Sequence, residues 1–218
     1  MPVPLPVRDG LNPTRIRMPD PPASYSTVVA YLRARFPDDA DALAAKVDAG
    51  EVVDARGTPI TATTPLVPRA DVWLHRDPPA EPEVPFALPV LHADRDLVVV
   101  DKPHFLATTP RGRFVVQSAL VRLRRALGND ELSPAHRLDR LTAGVLVFTA
   151  RPDVRRAYQE MFAARAVTKV YEAVAPVGDV PSLMRSRIVK TRDSLQAREV
   201  PGEVNAETRV EIVRSEEH

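Results

Sequence analysis

Apolar residues recur along the chain at two spacings, and the switches between them divide it into short elements. Over 26–36, Val28, Val29, Tyr31, Leu32 and Phe36 fall at helical spacing; over 39–49, Leu43, Ala44 and Val47 share a face before Gly50 stops the helix. Short strands are expected at 51–54 and 71–75, around a turn at Arg56-Gly57-Thr58-Pro59. Residues 89–93 and 97–101 read as two strands joined by an Asp/Arg turn. Residues 115–127 carry Val116, Ala119, Leu120, Leu123 and Leu127 at helical spacing up to Gly128. A β-rich run at 143–150 precedes a helix over 152–164 that opens on Pro152. Strands are expected again at 167–174, 185–189 and 207–213. Helices and strands mix without regular βα alternation, so the pattern predicts an α+β fold.

Proline groups these elements. The chain has 23 prolines, roughly twice the ordinary share. Residues 18–23, Met-Pro-Asp-Pro-Pro-Ala, end an arm expected to be irregular. Residues 77–85, Asp-Pro-Pro-Ala-Glu-Pro-Glu-Val-Pro, read as an extended joint, because consecutive prolines fix φ and remove backbone donors. The expected organisation is an arm at 1–22, a small module at 23–78, a linker at 79–87 and a larger domain at 88–218. No apolar run approaches the roughly 20 residues of a membrane helix. The start lacks a signal-peptide pattern, and with no cysteine there is no disulfide, thiol nucleophile or cysteine-ligated zinc. A cytoplasmic protein without a membrane partner is expected.

The net charge of +1 conceals an uneven distribution. Residues 101–165 hold twelve basic and six acidic side chains, whereas 1–100 hold ten and fourteen and 166–218 eight and nine. Arginine clustered in one stretch is the footprint of a phosphate-backbone binder; a solvated helix face is the alternative.

Within that stretch, residues 133–149 read Ser-Pro-Ala-His-Arg-Leu-Asp-Arg-Leu-Thr-Ala-Gly-Val-Leu-Val-Phe-Thr. Asp139 falls on a turn between two apolar strands, beside Arg137 and Arg140. A carboxylate so placed is accessible on a rigid scaffold and suits a nucleophile or charge stabiliser. It equally suits an aspartate that only pairs with Arg137 or Arg140, or bonds its own turn. A kinase catalytic loop is excluded, because a Leu separates Arg from Asp, no Asn follows and no Gly-rich loop precedes.

His136-Arg137-Leu138-Asp139-Arg140-Leu141-Thr142-Ala143-Gly144 closely resembles the His-Arg-Leu-Asp-x-x-Thr-Ser-Gly signature of the RluA-type RNA pseudouridine synthases. Residues 90–103, an acidic turn and an apolar strand ending in Lys102-Pro103, are similar to that family's upstream motif. Val167-Thr-Lys-Val-Tyr171 resembles its Lys-x-Tyr strand. Residues 23–78 resemble, more loosely, S4-like RNA-binding modules.

The resemblance implies a mainly antiparallel sheet flanked by helices, and a cofactor-free isomerisation of uridine to pseudouridine in a ribosomal or transfer RNA stem-loop by a monomer. It implies Asp139 as the catalytic carboxylate and Arg137, Arg140, Tyr171, Lys102 and Lys169 as the residues contacting substrate or RNA. Tyr171 would pack against the uracil ring, Arg137 would help extrude the base or contact phosphate, and Lys102 would support the fold or contact phosphate. His136 is expected to be structural. No metal is called for, and the five histidines at 75, 92, 104, 136 and 218 show no metal-ligand spacing.

Two departures lie inside the motifs. Ala143 replaces the family's Ser, and His104-Phe105 replaces a small residue and Gly, reshaping one pocket wall. The family's Gly-Arg-Thr-His-Gln-x-Arg-type segment, whose arginine pairs with the catalytic Asp, has no match before His218, so the catalytic domain is expected to be C-terminally incomplete. A non-catalytic RNA-binding protein derived from a synthase is the second reading.

Overall fold

The computed structural model describes residues 3–21, 24–78, 80–176, 178, 181–191 and 196–214. The chain divides into two compact units, Met1–Thr168 and Lys169–His218. The first unit contains two hydrophobic cores, each formed where helices cover one face of a small antiparallel sheet.

The first core begins with β1 (Thr14–Arg17), in the segment expected to be irregular. Ile16 and Met18 turn inward there, and β1 pairs antiparallel with β3, so burial and ladder bonds outweigh the flanking prolines. The two expected helices form as α1 (Val28–Arg35) and α2 (Ala40–Asp48). The Thr27 hydroxyl caps α1 by accepting the Ala30 amide at 3.2 Å. Strands β2 (Val53–Asp54) and β3 (Asp71–Leu74) complete a sheet of order β1-β3-β2. Leu32, Leu43, Val47, Val52, Val72 and Leu74 fill the space between helices and sheet.

The second core carries β4 (Val90–Ala93), β5 (Leu97–Lys102), β6 (Ser133–Pro134) and β7 (Gly144–Thr149) in the antiparallel order β4-β5-β7-β6. Alternation along β5 sends Val98, Val100 and Lys102 to one face; β7 sends Leu146 and Phe148 to the same core. Helix α3 (Ala119–Leu127) lays Ala119, Leu120 and Leu123 on that face, and α4 (Pro152–Ala163) follows β7. Helix α3 starts at Ala119, capped by Ser118, later than the spacing suggests. The amides of Val115, Val116 and Gln117 are taken by the Glu81 carboxylate at 2.7–2.9 Å, which holds that stretch out of the helix and fastens the proline-rich segment to this domain. Val84, from the same segment, is buried in the second core.

The first residues of the chain close against α3. The buried Arg124 guanidinium donates to the Gly10 carbonyl and the Asn12 side-chain oxygen, both at 3.1 Å, and twice to the Leu132 carbonyl. Gly10 has φ +74, and a Cβ there would stand 3.1 Å from the Val121 carbonyl, so both conformation and space select glycine.

In the second unit, β8 (Leu183–Ser186) pairs with β11 (Ala206–Arg209), and β9 (Ile188–Val189) with β10 (Arg198–Glu199). These take the place of the strands expected at 185–189 and 207–213. The strand expected at 167–174 does not form: no partner strand among the described residues supplies a ladder, and Val170, Tyr171 and Val174 lie exposed. The fold is α+β with every pair of named strands antiparallel. Among the described residues, no helix is long and apolar enough to cross a membrane.

Candidate active site

Asp139 lies in the loop from β6 to β7, exposed, while its neighbour Leu138 is buried in the second core. Leu138 anchors the loop by burial and by hydrogen bonding. The Thr108 hydroxyl donates to the Leu138 carbonyl at 2.7 Å and accepts the Leu138 amide at 3.2 Å. The Thr142 amide donates to the Asp139 carbonyl at 3.0 Å, closing the turn. Its far end is set by Gly144, whose φ of +115 suits glycine although nothing stands within 4 Å of a Cβ there. The carboxylate is thus carried on a short loop pinned at both ends, with its side chain directed outward.

His136 is structural, as its motif position suggested. Its Nε2 accepts the Val147 amide at 3.2 Å, and its ring stacks on Phe162 with centroids 4.4 Å apart. Lys102, expected either to support the fold or to contact phosphate, is wholly buried. Its ammonium donates to the Pro103 carbonyl at 3.0 Å and the Leu106 carbonyl at 2.8 Å, so it holds the loop after β5 rather than a phosphate. Burial pushes the Lys102 ammonium down to about 8, and the Asp139 carboxylate pulls it back up. It is a buried positive charge behind the exposed negative one.

Asp139 lines a cleft of about 380 Å³ with Thr108, Thr109, Phe114, Arg111, Arg113, Arg137 and Arg140 among its walls. Apart from Arg165, the arginines of the basic stretch divide into two sets. Arg122 and Arg124 serve carbonyls, and Arg125, Arg151, Arg155 and Arg156 pair with Asp9, Asp96, Glu131 and Glu160. Arg111, Arg113, Arg137 and Arg140 make no salt bridge among the described residues, Asp139 included. The reading in which Asp139 merely pairs with Arg137 or Arg140 is therefore not what the structure shows. Arg140 lies over the rings of Phe114 at 4.8 Å and Phe105 at 6.0 Å, and Arg113 over Phe114 at 5.1 Å.

Arg111, Arg113, Thr108 and Phe114 line the cleft without standing in any of the family motifs above. The available signal was Arg111-Gly112-Arg113, two arginines on a tight turn closed by reciprocal backbone bonds between Arg111 and Phe114. Lys169 and Tyr171 belong to the second unit, where both are exposed. Among the described residues, no group of His, Asp or Glu side chains is arranged to hold a metal ion.

The RNA pseudouridylate synthase family model matches residues 96–218. An uncharacterized RNA pseudouridine synthase of Synechocystis is 33% identical over 136 residues, covering 62% of this chain and 46% of its own. Human pseudouridylate synthase RPUSD2 is 38% identical over 98 residues, covering 45% of this chain and 18% of its own. The dual-specificity RNA pseudouridine synthase RluA of Haemophilus influenzae is 34% identical over 99 residues, covering 45% of this chain and 42% of its own. The chain thus spans less than half the length of these relatives. The family match takes in more than half of the chain, Asp139 and its loop included, and by it the protein belongs to the RluA-type RNA pseudouridylate synthases.

Proposed function

We propose that the protein converts specific uridines of a structured RNA, ribosomal or transfer, into pseudouridine, with Asp139 as the catalytic carboxylate and no cofactor. The observation that carries this reading is an exposed carboxylate in a cleft whose rim bears four arginines free of carboxylate partners among the described residues. Such a rim draws in a polyanion, and the cleft admits a nucleotide turned out of its stack. The reaction is an isomerisation: the bond from ribose to the uracil nitrogen breaks, the base turns, and a bond to carbon forms. A carboxylate can attack the anomeric carbon, but water entering then would give hydrolysis, so the freed base must be held in a closed, dry site. Arg137 and Arg140 serve phosphate contact or stacking in place of the extruded base. Lys169 and Tyr171 are assigned to RNA and uracil by their motif alone. Residues 23–78 are assigned to RNA contact as an S4-like module, supported by the core they form together with Ile16 and Met18.

Pseudouridine mapping of ribosomal and transfer RNA treated with the wild-type chain, Asp139→Asn and Asp139→Ala tests the reading. Wild type is expected to form pseudouridine and both variants to form none while still binding RNA. A variant that modifies RNA at the wild-type rate would overturn the role of Asp139. Wild-type binding without isomerisation would identify an RNA-binding protein derived from a synthase.

A further inference from the structure

Phe105 has φ +67, a left-handed conformation that costs a bulky L-residue free energy. The loop forces it from both sides. The Lys102 ammonium ties the Pro103 and Leu106 carbonyls, which bracket His104 and Phe105, and Leu106 is wholly buried. His104 Nδ1 is hydrogen-bonded at 2.6 Å to the Leu141 carbonyl, on the loop that carries Asp139. With the loop held by these contacts, the Phe105 ring is left 49% exposed beside the cleft. Glycine would take this conformation without strain, so the phenyl ring is retained at a cost to the fold.

The ring is not isolated. Arg140 lies over both Phe105 and Phe114, and Arg140 and Phe114 themselves line the Asp139 cleft. A ring, a guanidinium and a second ring therefore run from the cleft out to Phe105. We infer that Phe105, backed by Arg140, is a stacking platform for an unpaired RNA base next to the nucleotide held at Asp139. An exposed aromatic face among arginines that meet no carboxylate among the described residues suits a single-stranded base, whose π-face stacks while its phosphates meet the guanidinium groups. The neutral, flat ring has no comparable use for a fully paired duplex, whose bases present no free face. This inference rests on the proposed reading only for the identity of the nucleotide in the cleft.

The test is fluorescence anisotropy of the full chain with a short single-stranded oligouridylate and with a blunt RNA duplex of equal length, for wild type, Phe105→Gly and Phe105→Tyr. Phe105→Gly relieves the backbone and is expected to melt no lower than wild type. It should bind the single strand about tenfold more weakly, with duplex binding unchanged. Phe105→Tyr should keep wild-type affinity. Equal single-strand affinity for wild type and Phe105→Gly, equal losses on both RNAs, or no wild-type binding to the single strand would each overturn the platform. Pseudouridine formation, measured separately, reports on the proposed reaction, so either can fail while the other stands.

Discussion

One hydroxyl satisfies both backbone groups of the residue before Asp139: Thr108 Oγ1 accepts the Leu138 amide at 3.2 Å and donates to the Leu138 carbonyl at 2.7 Å. Leu138 is buried, so no water is at hand to replace either bond, and the position of the carboxylate depends on this bracket.

Thr108→Val keeps the shape of the side chain and removes both bonds. Stability should fall by about 2 kcal/mol, from two buried backbone groups left unpaired. The rate of pseudouridine formation should fall further than RNA affinity, because the arginine rim is untouched. Chemical denaturation, with kcat and Kd measured separately, checks this; an unchanged kcat would show that the loop holds its place without the hydroxyl.

Lys102 makes stability depend on alkaline pH. Its folded value of about 8 lies below the ordinary lysine value, so between the two the unfolded chain binds more protons. The cost of burying the charged form is present at neutral pH and is relieved as pH rises through about 8 towards the unfolded value. From pH 7 to 9.5, wild type should gain on the order of 2 kcal/mol relative to Lys102→Met. Denaturant titrations of both proteins at the two pH values measure the difference, and parallel pH profiles would contradict it.

The four arginines around the Asp139 cleft should set the salt dependence of RNA binding. Replacing Arg111, Arg113, Arg137 or Arg140 by Gln one at a time should each lower the slope of log affinity against log salt by about one where the arginine meets a phosphate. Arg151→Gln and Arg156→Gln, whose side chains already face Asp96 and Glu160, should leave the slope unchanged.

Gly10→Ala places a Cβ against the Val121 carbonyl at a left-handed backbone position and should cost about 1–2 kcal/mol. Gly112→Ala, where nothing stands within 4 Å, carries only the conformational part and should cost less. Equal melting temperatures for the two variants would show that the arm does not press on α3.

Local patterning made most of the second core legible. The alternation of β5 and β7 and the spacing of α3 are direct consequences of which face is buried. The same alternation puts Lys102 in line with Val98 and Val100, facing inward, where a charged side chain is rarely found. Its burial depends on two carbonyls from a loop whose path no periodicity specifies. Asp139 was legible because its motif and its turn coincide. Its surroundings were not, since Thr108, Arg111, Arg113 and Phe114 reach it through tertiary contacts. β1 escaped notice because its partner, β3, lies more than fifty residues away and the prolines beside it favour irregular structure. Residues 167–174 show the converse, an alternation with no neighbouring strand to use it.

The clasp between Arg124 and the residues around Gly10 spans more than a hundred positions of the chain. A contact of such sequence separation closes late in folding, while the first core closes from contacts nearer in sequence. Residues 9–12 are thus secured to α3 only once the 114 positions between Gly10 and Arg124 have been brought round.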